Sequence, residues 1–225
     1  MKKVLQTSGL VSLVLIVFAM NVQGQETESK AAFDVKMDIY SNYIWRGSKL
    51  GTGPSLQPSV TFTAGGLTLG VWGAFDASGY TEADPYISYA FPFGLSLGVT
   101  DYYYPSLKLS DFSDSTGSHA IELNAGFTTG GLSLSANYIV NEAGGAASKG
   151  QDMYFQAGYA FKNFSVSVGA GDGWHTTNGD FNVCHIGIGT SKEIKITDTF
   201  SIPVSGQVIV NPEKEALYVV VGLSL

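Results

Sequence analysis

The stretch "GGLSLSANYIVN", residues 130–141, begins with a glycine pair and then alternates apolar and polar side chains. Leu132 and Leu134 fall on one face of an extended chain. Ser133 and Ser135 fall on the other face. A period of two residues is typical of a β-strand, and a glycine pair before it is typical of a tight turn. The stretch therefore predicts a hairpin strand with one apolar and one polar face.

The same alternation recurs along the chain, and we find no convincing helical period. It predicts about twelve strands, at residues 33–46, 56–64, 67–75, 82–91, 95–104, 118–128, 132–141, 151–161, 164–171, 181–191, 199–210 and 215–225. The connections alternate in length. Tight turns, such as those at residues 65–66, 92–94, 130–131 and 162–163, alternate with mostly longer polar loops, such as those at 47–55, 105–117, 142–150 and 172–180. Short turns at one end, long loops at the other and an even strand count indicate an all-β fold: a single antiparallel up-and-down transmembrane β-barrel.

Alternation alone also fits a soluble β-sandwich, and the aromatic residues favour the barrel. One set lies near the tight turns: Phe62, Phe91, Phe127, Phe161, Phe164 and Phe200. A second set lies near the long loops: Tyr43, Trp45, Phe75, Tyr103 and Tyr138. Two belts about one strand length apart resemble the aromatic girdles of a membrane barrel. The last strand is apolar on one face up to Leu225, as in a terminal barrel strand recognised by the outer-membrane insertion machinery.

The N-terminus predicts export. Lys2 and Lys3 precede an apolar stretch and the small-residue sequence Val22-Gln23-Gly24, which predicts a signal peptide over residues 1–24 and a barrel over residues 25–225. Cleavage would remove two lysines and no acidic residue, taking the formal net charge from −7 to −9. Such an acidic chain is a poor candidate for binding nucleic acid. We expect it in the bacterial outer membrane, in contact with lipid and lipopolysaccharide, with both termini in the periplasm.

The segments "YSNYIWRGS" and "PSLQPSV", followed by the strongly aromatic stretch up to "LGVTDYYYP", resemble a family of exported bacterial proteins known as TorF-type porins. The resemblance is strongest over residues 40–105. It rests on three motifs, here Trp45-Arg46-Gly47, then Glu82, Asp84 and Tyr86, then Tyr102, Tyr104 and Pro105. The resemblance implies an outer-membrane barrel, and it implies the fold more strongly than a transported substrate. Pro85 departs from the pattern and predicts a bulge or an edge at that point.

With Tyr43 and Trp45 facing lipid, strand parity sends Arg46 towards the lumen. The same parity makes a set of charged or titratable residues candidate pore-lining groups: Asp34, Lys36, Asp38, Arg46, Asp84, Glu122, Asp152 and His185. In one interpretation Arg46 opposes Asp84 and Glu122 across a narrow channel for small polar or cationic solutes, and the excess of carboxylates favours cations. In the other, the same groups form ion pairs that fill the barrel. We see no loop or terminal helix large enough to be a plug, which favours the channel.

Other classes of function have weaker support. Ser118 and His119 are neighbours on one strand and point to opposite faces, so they do not predict a nucleophile and base, and His175 stands alone in a loop. Three histidines and one cysteine give no metal-ligand pattern, and we expect no enzyme and no cofactor. The alternative to a channel is a non-conducting barrel that serves as an envelope element or binds a partner through its acidic loops. The sequence does not distinguish oligomeric states or substrates.

Overall fold

A computed structural model of the chain describes residues 31–225. The predicted signal peptide lies outside the described residues. Fourteen strands follow one another: β1 Ala32–Tyr40, β2 Tyr43–Trp45, β3 Ser48–Leu50, β4 Ser55–Ala64, β5 Leu67–Asp76, β6 Thr81–Ala90, β7 Leu95–Tyr103, β8 His119–Thr129, β9 Leu132–Ile139, β10 Met153–Ala160, β11 Ser165–Gly171, β12 Asn182–Lys195, β13 Ser201–Asn211 and β14 Ala216–Ser224. Two short 3₁₀ turns lie at Gly144–Ala146 and Gly173–His175. None of the helical segments within residues 31–225 is long and apolar enough to cross a membrane.

Twelve of these strands, β1 and β4 to β14, form a closed antiparallel barrel with up-and-down order. Closure is made by β1, which pairs with β4 on one side and with β14 on the other. The tight connections, such as Gly65-Gly66, lie at one end, here called the turn end. The longer connections lie at the other, here called the loop end. The predicted fold class is confirmed, and eleven of the twelve predicted strands differ from the observed ones by only a few residues at each end.

The outer face of the barrel is apolar, as the alternation predicted. Leu134 on β9, Val168 on β11 and Val219 on β14 are among many large apolar side chains exposed on that face. Serines and asparagines of the same strands point inward. A soluble sandwich would bury its apolar faces between two sheets. This molecule instead has one closed sheet with its apolar face outside, so the sandwich interpretation is wrong.

The first predicted strand is the exception. It was expected to continue to Arg46, but β1 ends at Tyr40 and the chain leaves the wall there. Residues 43–50 then form a two-stranded hairpin, β2 and β3, which pairs with itself rather than with the barrel. We call it the inner hairpin. Tyr43 and Trp45, expected to face lipid, are only 3% and 8% exposed and lie in the buried core of the lumen.

One local expectation on β6 is also wrong. Pro85 lies neither at a bulge nor at an edge, because β6 lies between β5 and β7 and keeps a constant register with both. Asp101 lies on the outer face, where its carboxylate pairs with His119 Nδ1 at 2.8 Å. Phe112 stacks on the His119 ring at 4.1 Å, so the loop between β7 and β8 folds back over this pair. The Asp101–His119 contact is thereby covered without a break in the strand.

Candidate functional site

The inner hairpin turns at Arg46 and Gly47, whose φ angles are 48° and 84°. Positive φ at both central residues of a two-residue connection is the mark of a type I′ hairpin turn. Gly47 is required for a second reason, since a Cβ at this position would overlap the carbonyl oxygen of Cys184 on β12. The carbonyl of Gly47 accepts a hydrogen bond from Asn211 Nδ2 at 3.0 Å. The tip of the hairpin is therefore fitted closely against the wall at β12 and β13.

The Arg46 side chain forms a buried ion pair with Glu122 on β8. Its Nη1 donates to Glu122 Oε2 at 2.6 Å, and its Nη2 donates to Oε1 at 2.8 Å. The two side chains are only 7% and 1% exposed. A bidentate pair in such surroundings fixes orientation as well as charge. It joins the hairpin to a strand that is far from β1 around the ring of the barrel, so the hairpin crosses the lumen.

Further groups from three elements surround this pair. Tyr102 Oη and Asn124 Nδ2 donate to Glu122 Oε1 at 3.0 and 2.6 Å. The guanidinium of Arg46 lies 4.5 Å from the ring centroid of Tyr154, in cation–π geometry. These contacts satisfy the carboxylate and cover the cation, which is the condition for a buried pair to be tolerated.

His175, from the loop between β11 and β12, completes the surroundings of the hairpin. Its Nε2 lies 3.5 Å from Arg46 Nη1, and its ring centroid lies 5.1 Å from that of Trp45. Burial lowers the pKa of His175 well below its usual value, and the charges of Arg46 and Lys214 lower it further. The neutral imidazole can accept from the guanidinium through Nε2, whereas an imidazolium could not.

One face of the inner hairpin packs against aromatic and acidic groups. We call this the acidic side. Tyr43 packs against Trp72 and Tyr80, with ring centroids 5.5 and 6.0 Å away. Tyr80 Oη donates to Glu82 Oε2 at 2.9 Å, and Asp84 beside it accepts from the backbone N–H of Tyr103 at 3.3 Å. Both carboxylates are almost completely buried.

The opposite face of the hairpin packs against aliphatic groups. We call this the apolar side. Ile44 lies against a small buried cluster of Tyr40, Ile209 and Val220. Beneath it is a pocket of about 20 Å³. The polar residues of its lining are Asn42, Gln57, Gln207 and two tyrosines. The full lining is Tyr40, Asn42, Tyr43, Ile44, Gln57, Gln207, Ile209 and Val220. A cavity of this size holds one water molecule.

Towards the turn end the lumen has small polar walls. Thr61, Thr68, Ser96, Ser133 and Ser205 lie on the inward parity of their strands and are partly exposed. Side chains this short do not reach across a twelve-stranded barrel. The hairpin therefore fills the lumen at the loop end, whereas several inward-facing side chains towards the turn end are short and partly exposed.

The structure divides the predicted pore-lining residues. It brings Arg46 and Glu122 together, but Asp84 lies on the acidic side and makes no contact with Arg46. On β1, Lys36 pairs with Asp34 at 3.3 Å and both are largely exposed, while Asp38 is half-buried.

Two predicted residues lie away from this pair. Asp152 accepts from Ser148 Oγ at 2.7 Å, at the loop end. His185 Nε2 lies 2.9 Å from Ser167 Oγ, between β11 and β12. The residues predicted to line one path thus belong to several separate environments.

The family-motif residues also separate. Trp45, Arg46 and Gly47 form the hairpin and its turn. Tyr86 lies on the lumen face beside Gly70, and Tyr104 packs on Tyr80 with ring centroids 6.4 Å apart. Pro105 is exposed in the loop after β7. All three motifs therefore contribute residues to the hairpin or to the acidic side that receives it.

Sequence reasoning missed several residues that hold the hairpin, notably Tyr154, Asn124 and the role of His175. Tyr154 lies on the polar parity of its strand, and a large aromatic residue there was a signal that something packs inside the barrel. Asn124 shares a face with Glu122, two residues away, so it could have been paired with it. The contact between His175 and Arg46 spans 129 residues and had no local signal.

The groups considered for catalysis are engaged elsewhere. Ser118 Oγ donates to the carbonyl oxygens of Lys108 and Asp111 at 2.7 and 3.1 Å. His119 contacts Asp101 and the carbonyl oxygen of Leu109, on the outer face. Within the part of the chain that the structure describes, His, Cys, Asp and Glu form no group of three that could hold a metal ion.

A family model of a "bacterial protein of unknown function", Gcw_chp, matches residues 24–204. The chain belongs to this family. The TorF-type porin assignment made from its motifs stays a prediction. No curated protein matches the chain.

Some solved structures resemble the barrel at low identity. A triple mutant of the Rhodopseudomonas blastica porin is 15% identical, with a TM-score of 0.40, over 76% of this chain and 55% of the porin chain. Another engineered variant of that porin is 13% identical, with a TM-score of 0.43, over 87% of this chain and 99% of the other. In the first alignment the chain spans about half the length of the porin.

Proposed function

We propose that this family member is an outer-membrane β-barrel that acts as a narrow channel for small polar solutes, and that the inner hairpin obstructs its loop end. The observation that carries the proposal is that the obstruction is a short hairpin outside the ladder of the barrel wall. The lumen is filled by a short excursion of the chain, residues 43–50, which pairs only with itself. Such an element can move without breaking any ladder of the barrel wall.

The outer surface supports the location. Large apolar side chains cover the outward face, and aromatic residues such as Phe161 and Phe200 lie near the turn end on that face. A continuous apolar exterior of this kind is stable in lipid and would aggregate in water. We expect the mature chain to fractionate with the outer membrane and to migrate faster on a gel before boiling than after it. Release with soluble periplasmic proteins would contradict this.

The two ends give a test of orientation. With both termini in the periplasm, an epitope inserted between Ser106 and Gly117 is expected to be accessible on intact cells, whereas one at Gly65-Gly66 is not. Reversed labelling would place the loop end, and with it the inner hairpin, at the periplasmic side.

The channel itself is tested by planar-bilayer recording of the purified protein and of a variant in which residues 43–50 are replaced by glycine and serine. Removal of the obstruction is expected to increase the conductance several-fold. A matched control replaces an equal length of the loop between β7 and β8, residues 106–113, which lies outside the lumen. Absence of current from both the wild type and the hairpin variant would refute a channel.

A non-conducting barrel is the second candidate, and a specific observation favours it. The Arg46–Glu122 pair is buried and bidentate, and two apolar clusters lie on either side of the hairpin. Fixed filling of this kind would suit an envelope element or a receptor whose function lies in its loops. The same bilayer recordings separate the two candidates.

A further inference from the structure

The inner hairpin divides the loop end of the lumen into two halves of different character. Its tip reaches Glu122 on β8 and Cys184 on β12, so it spans the barrel from the β1 wall to the far wall. Tyr43 and Trp45 point to one half, and Ile44 points to the other. A solute that crosses the barrel must pass along one of these two sides, or the whole hairpin must leave.

The acidic side is held by directional contacts. Besides the Arg46–Glu122 pair, Trp45 packs edge-on against Tyr102 with ring centroids 5.4 Å apart. The same cluster includes the fully buried Ala74 and Ala120 on the wall. Opening a path here would break hydrogen bonds and leave buried carboxylates unpaired, which is costly.

On the apolar side, the hydrogen bonds between the hairpin and the wall lie at the hairpin tip: Asn211 Nδ2 donates to the Gly47 carbonyl oxygen at 3.0 Å, and Lys214 Nζ donates to Ser48 Oγ at 2.9 Å. Ile44 meets Ile209 and Val220 through aliphatic contacts alone. The pocket directly beneath has the amides of Asn42 and Gln207 in its lining. Separating aliphatic groups by the width of a water molecule leaves no polar atom unpaired. This side is therefore the easier one to open.

We propose that solutes cross the barrel along the apolar side of the hairpin, through a constriction formed by Ile44, Ile209 and Val220, and that the solutes that pass are small, polar and uncharged. This inference rests on the proposed channel function. A hydrophobic constriction controls passage by dewetting and offers no group that replaces an ion's hydration shell. The amides just below it give hydrogen bonds to a neutral solute before it enters.

The first test makes the constriction wettable. Ile209→Ser and Val220→Ser are expected to raise ion conductance several-fold and to lower the preference for neutral over charged solutes in liposome-swelling assays. The controls are Ala74→Ser and Ala120→Ser, which place the same hydroxyl in the buried wall of the acidic side. They are expected to leave both readouts near wild type. Equal effects on the two sides would overturn the inference.

The variant in which residues 43–50 are replaced distinguishes a wrong route from the absence of a channel. If it conducts while Ile209→Ser and Val220→Ser do not, the channel stands and the route is wrong. If none of these proteins conducts, the channel proposal itself fails.

A second test reads access directly and does not depend on current. Single cysteines are introduced in a Cys184→Ala background, and a small membrane-impermeant thiol reagent is added from the turn end of the reconstituted protein. The Gln207→Cys variant is expected to react fastest, the Val220→Cys variant more slowly, and the Ala120→Cys variant not measurably. Faster reaction of the Ala120→Cys variant than of the Val220→Cys variant would place the route on the acidic side.

Discussion

The two sides of the inner hairpin fill the loop end of one lumen by different means. On the acidic side, Arg46 and Glu122 meet in fixed geometry, and Tyr102 and Asn124 donate further hydrogen bonds to the carboxylate. On the apolar side, Ile44 rests on Ile209 and Val220 without directional bonds. Ion pairs determine where the hairpin sits, because an unpaired buried charge is costly. Aliphatic contacts fill space and can be parted with a smaller local penalty. The comparison indicates an element fixed along the acidic side and at its tip, and free to yield where Ile44 meets the wall.

The largest effect is expected from breaking the ion pair. Glu122→Gln leaves a buried guanidinium without its carboxylate, and loss of one member of a buried pair costs roughly 3–5 kcal/mol. We expect faster hydrogen exchange of the amides of residues 43–50 and a lower urea midpoint for the refolded barrel. On the apolar side, Ile209→Val removes one methylene and is expected to cost about 0.5–1.5 kcal/mol.

The control for this prediction replaces both members of the pair. Arg46→Met combined with Glu122→Met fills similar volume without charge, and such replacements are often neutral or stabilising. Recovery of slow hairpin exchange in the double variant would attribute the loss to the unpaired charge. Wild-type behaviour of Glu122→Gln alone would show that the pair does not position the hairpin.

The next largest effect is expected at Gly47, at the tip of the inner hairpin. Gly47→Ala is expected to displace the hairpin, because the residue has a φ of 84° and its Cβ would overlap the Cys184 carbonyl. Gly79→Ala is the matched control, since Gly79 has a φ of 95° but no atom within 4 Å of a Cβ. Both variants carry the backbone strain of a left-handed alanine, about 1 kcal/mol. Limited proteolysis should detect a looser hairpin only for Gly47→Ala, and equal digestion of both would remove the contact from the explanation.

The sequence predicts the barrel well and the hairpin poorly, for a physical reason. Alternation is a local signal that the wall strands follow almost everywhere, as in Leu132–Ile139. The stretch from Tyr40 to Arg46 alternates as well, because a hairpin strand has the same period as a wall strand. Its sequence therefore fits continuation of β1. What separates the two is the Arg46-Gly47 turn. Type I′ turns favour Asn or Asp at the first central position, so a turn with Arg at that position is not recognised from the sequence.

The candidate site was predictable in its parts and not in its assembly. Parity placed Arg46 and Glu122 on the polar face, and they do meet inside the barrel. The same reasoning placed Asp84 opposite Arg46, although Asp84 is buried on the acidic side, where it accepts from the backbone N–H of Tyr103. Parity gives the face of a residue but not the depth or the contents of the lumen. The expectation that no loop could serve as a plug is wrong because the obstruction needs only eight residues.

A smaller effect on the stability of the native state is expected when the pH falls. Because the pKa of His175 is lowered by folding, the unfolded chain binds a proton that the native one does not once the pH falls below about 6.5. The contribution of neutral His175 to the free energy of unfolding is fully present above that pH. It declines below that pH, by at most about 1.4 kcal/mol per pH unit. His175→Gln keeps an acceptor near Arg46 without the titration. The difference in urea midpoint between wild type and His175→Gln should grow in favour of the variant from pH 7.5 to pH 5, and a constant difference would contradict this.

The smallest expected effect is on ion selectivity. It tests the difference between the acidic and the apolar side, because it depends on whether the hairpin is present. In the wild type, Asp34, Lys36 and Asp38 are the charged β1 residues on the inward parity, and they are at least partly exposed, leaving one net negative charge. We therefore expect the small ion current that passes the constriction to show a weak cation preference, which Asp38→Asn reduces and Asp84→Asn does not, because Asp84 is covered by the acidic side. When residues 43–50 are replaced, Asp84 and Glu122 lose both that cover and Arg46. Asp84→Asn in that background should then lower the cation preference, and the effect should shrink at high salt, where screening shortens to a few ångströms. Reversal potentials across a salt gradient are measured for all five proteins: the wild type, Asp38→Asn, Asp84→Asn, the hairpin variant, and Asp84→Asn in the hairpin variant. If Asp84→Asn changed the wild-type value as much as the value of the hairpin variant, ions would already reach the acidic side, and the asymmetry between the two sides would not control permeation.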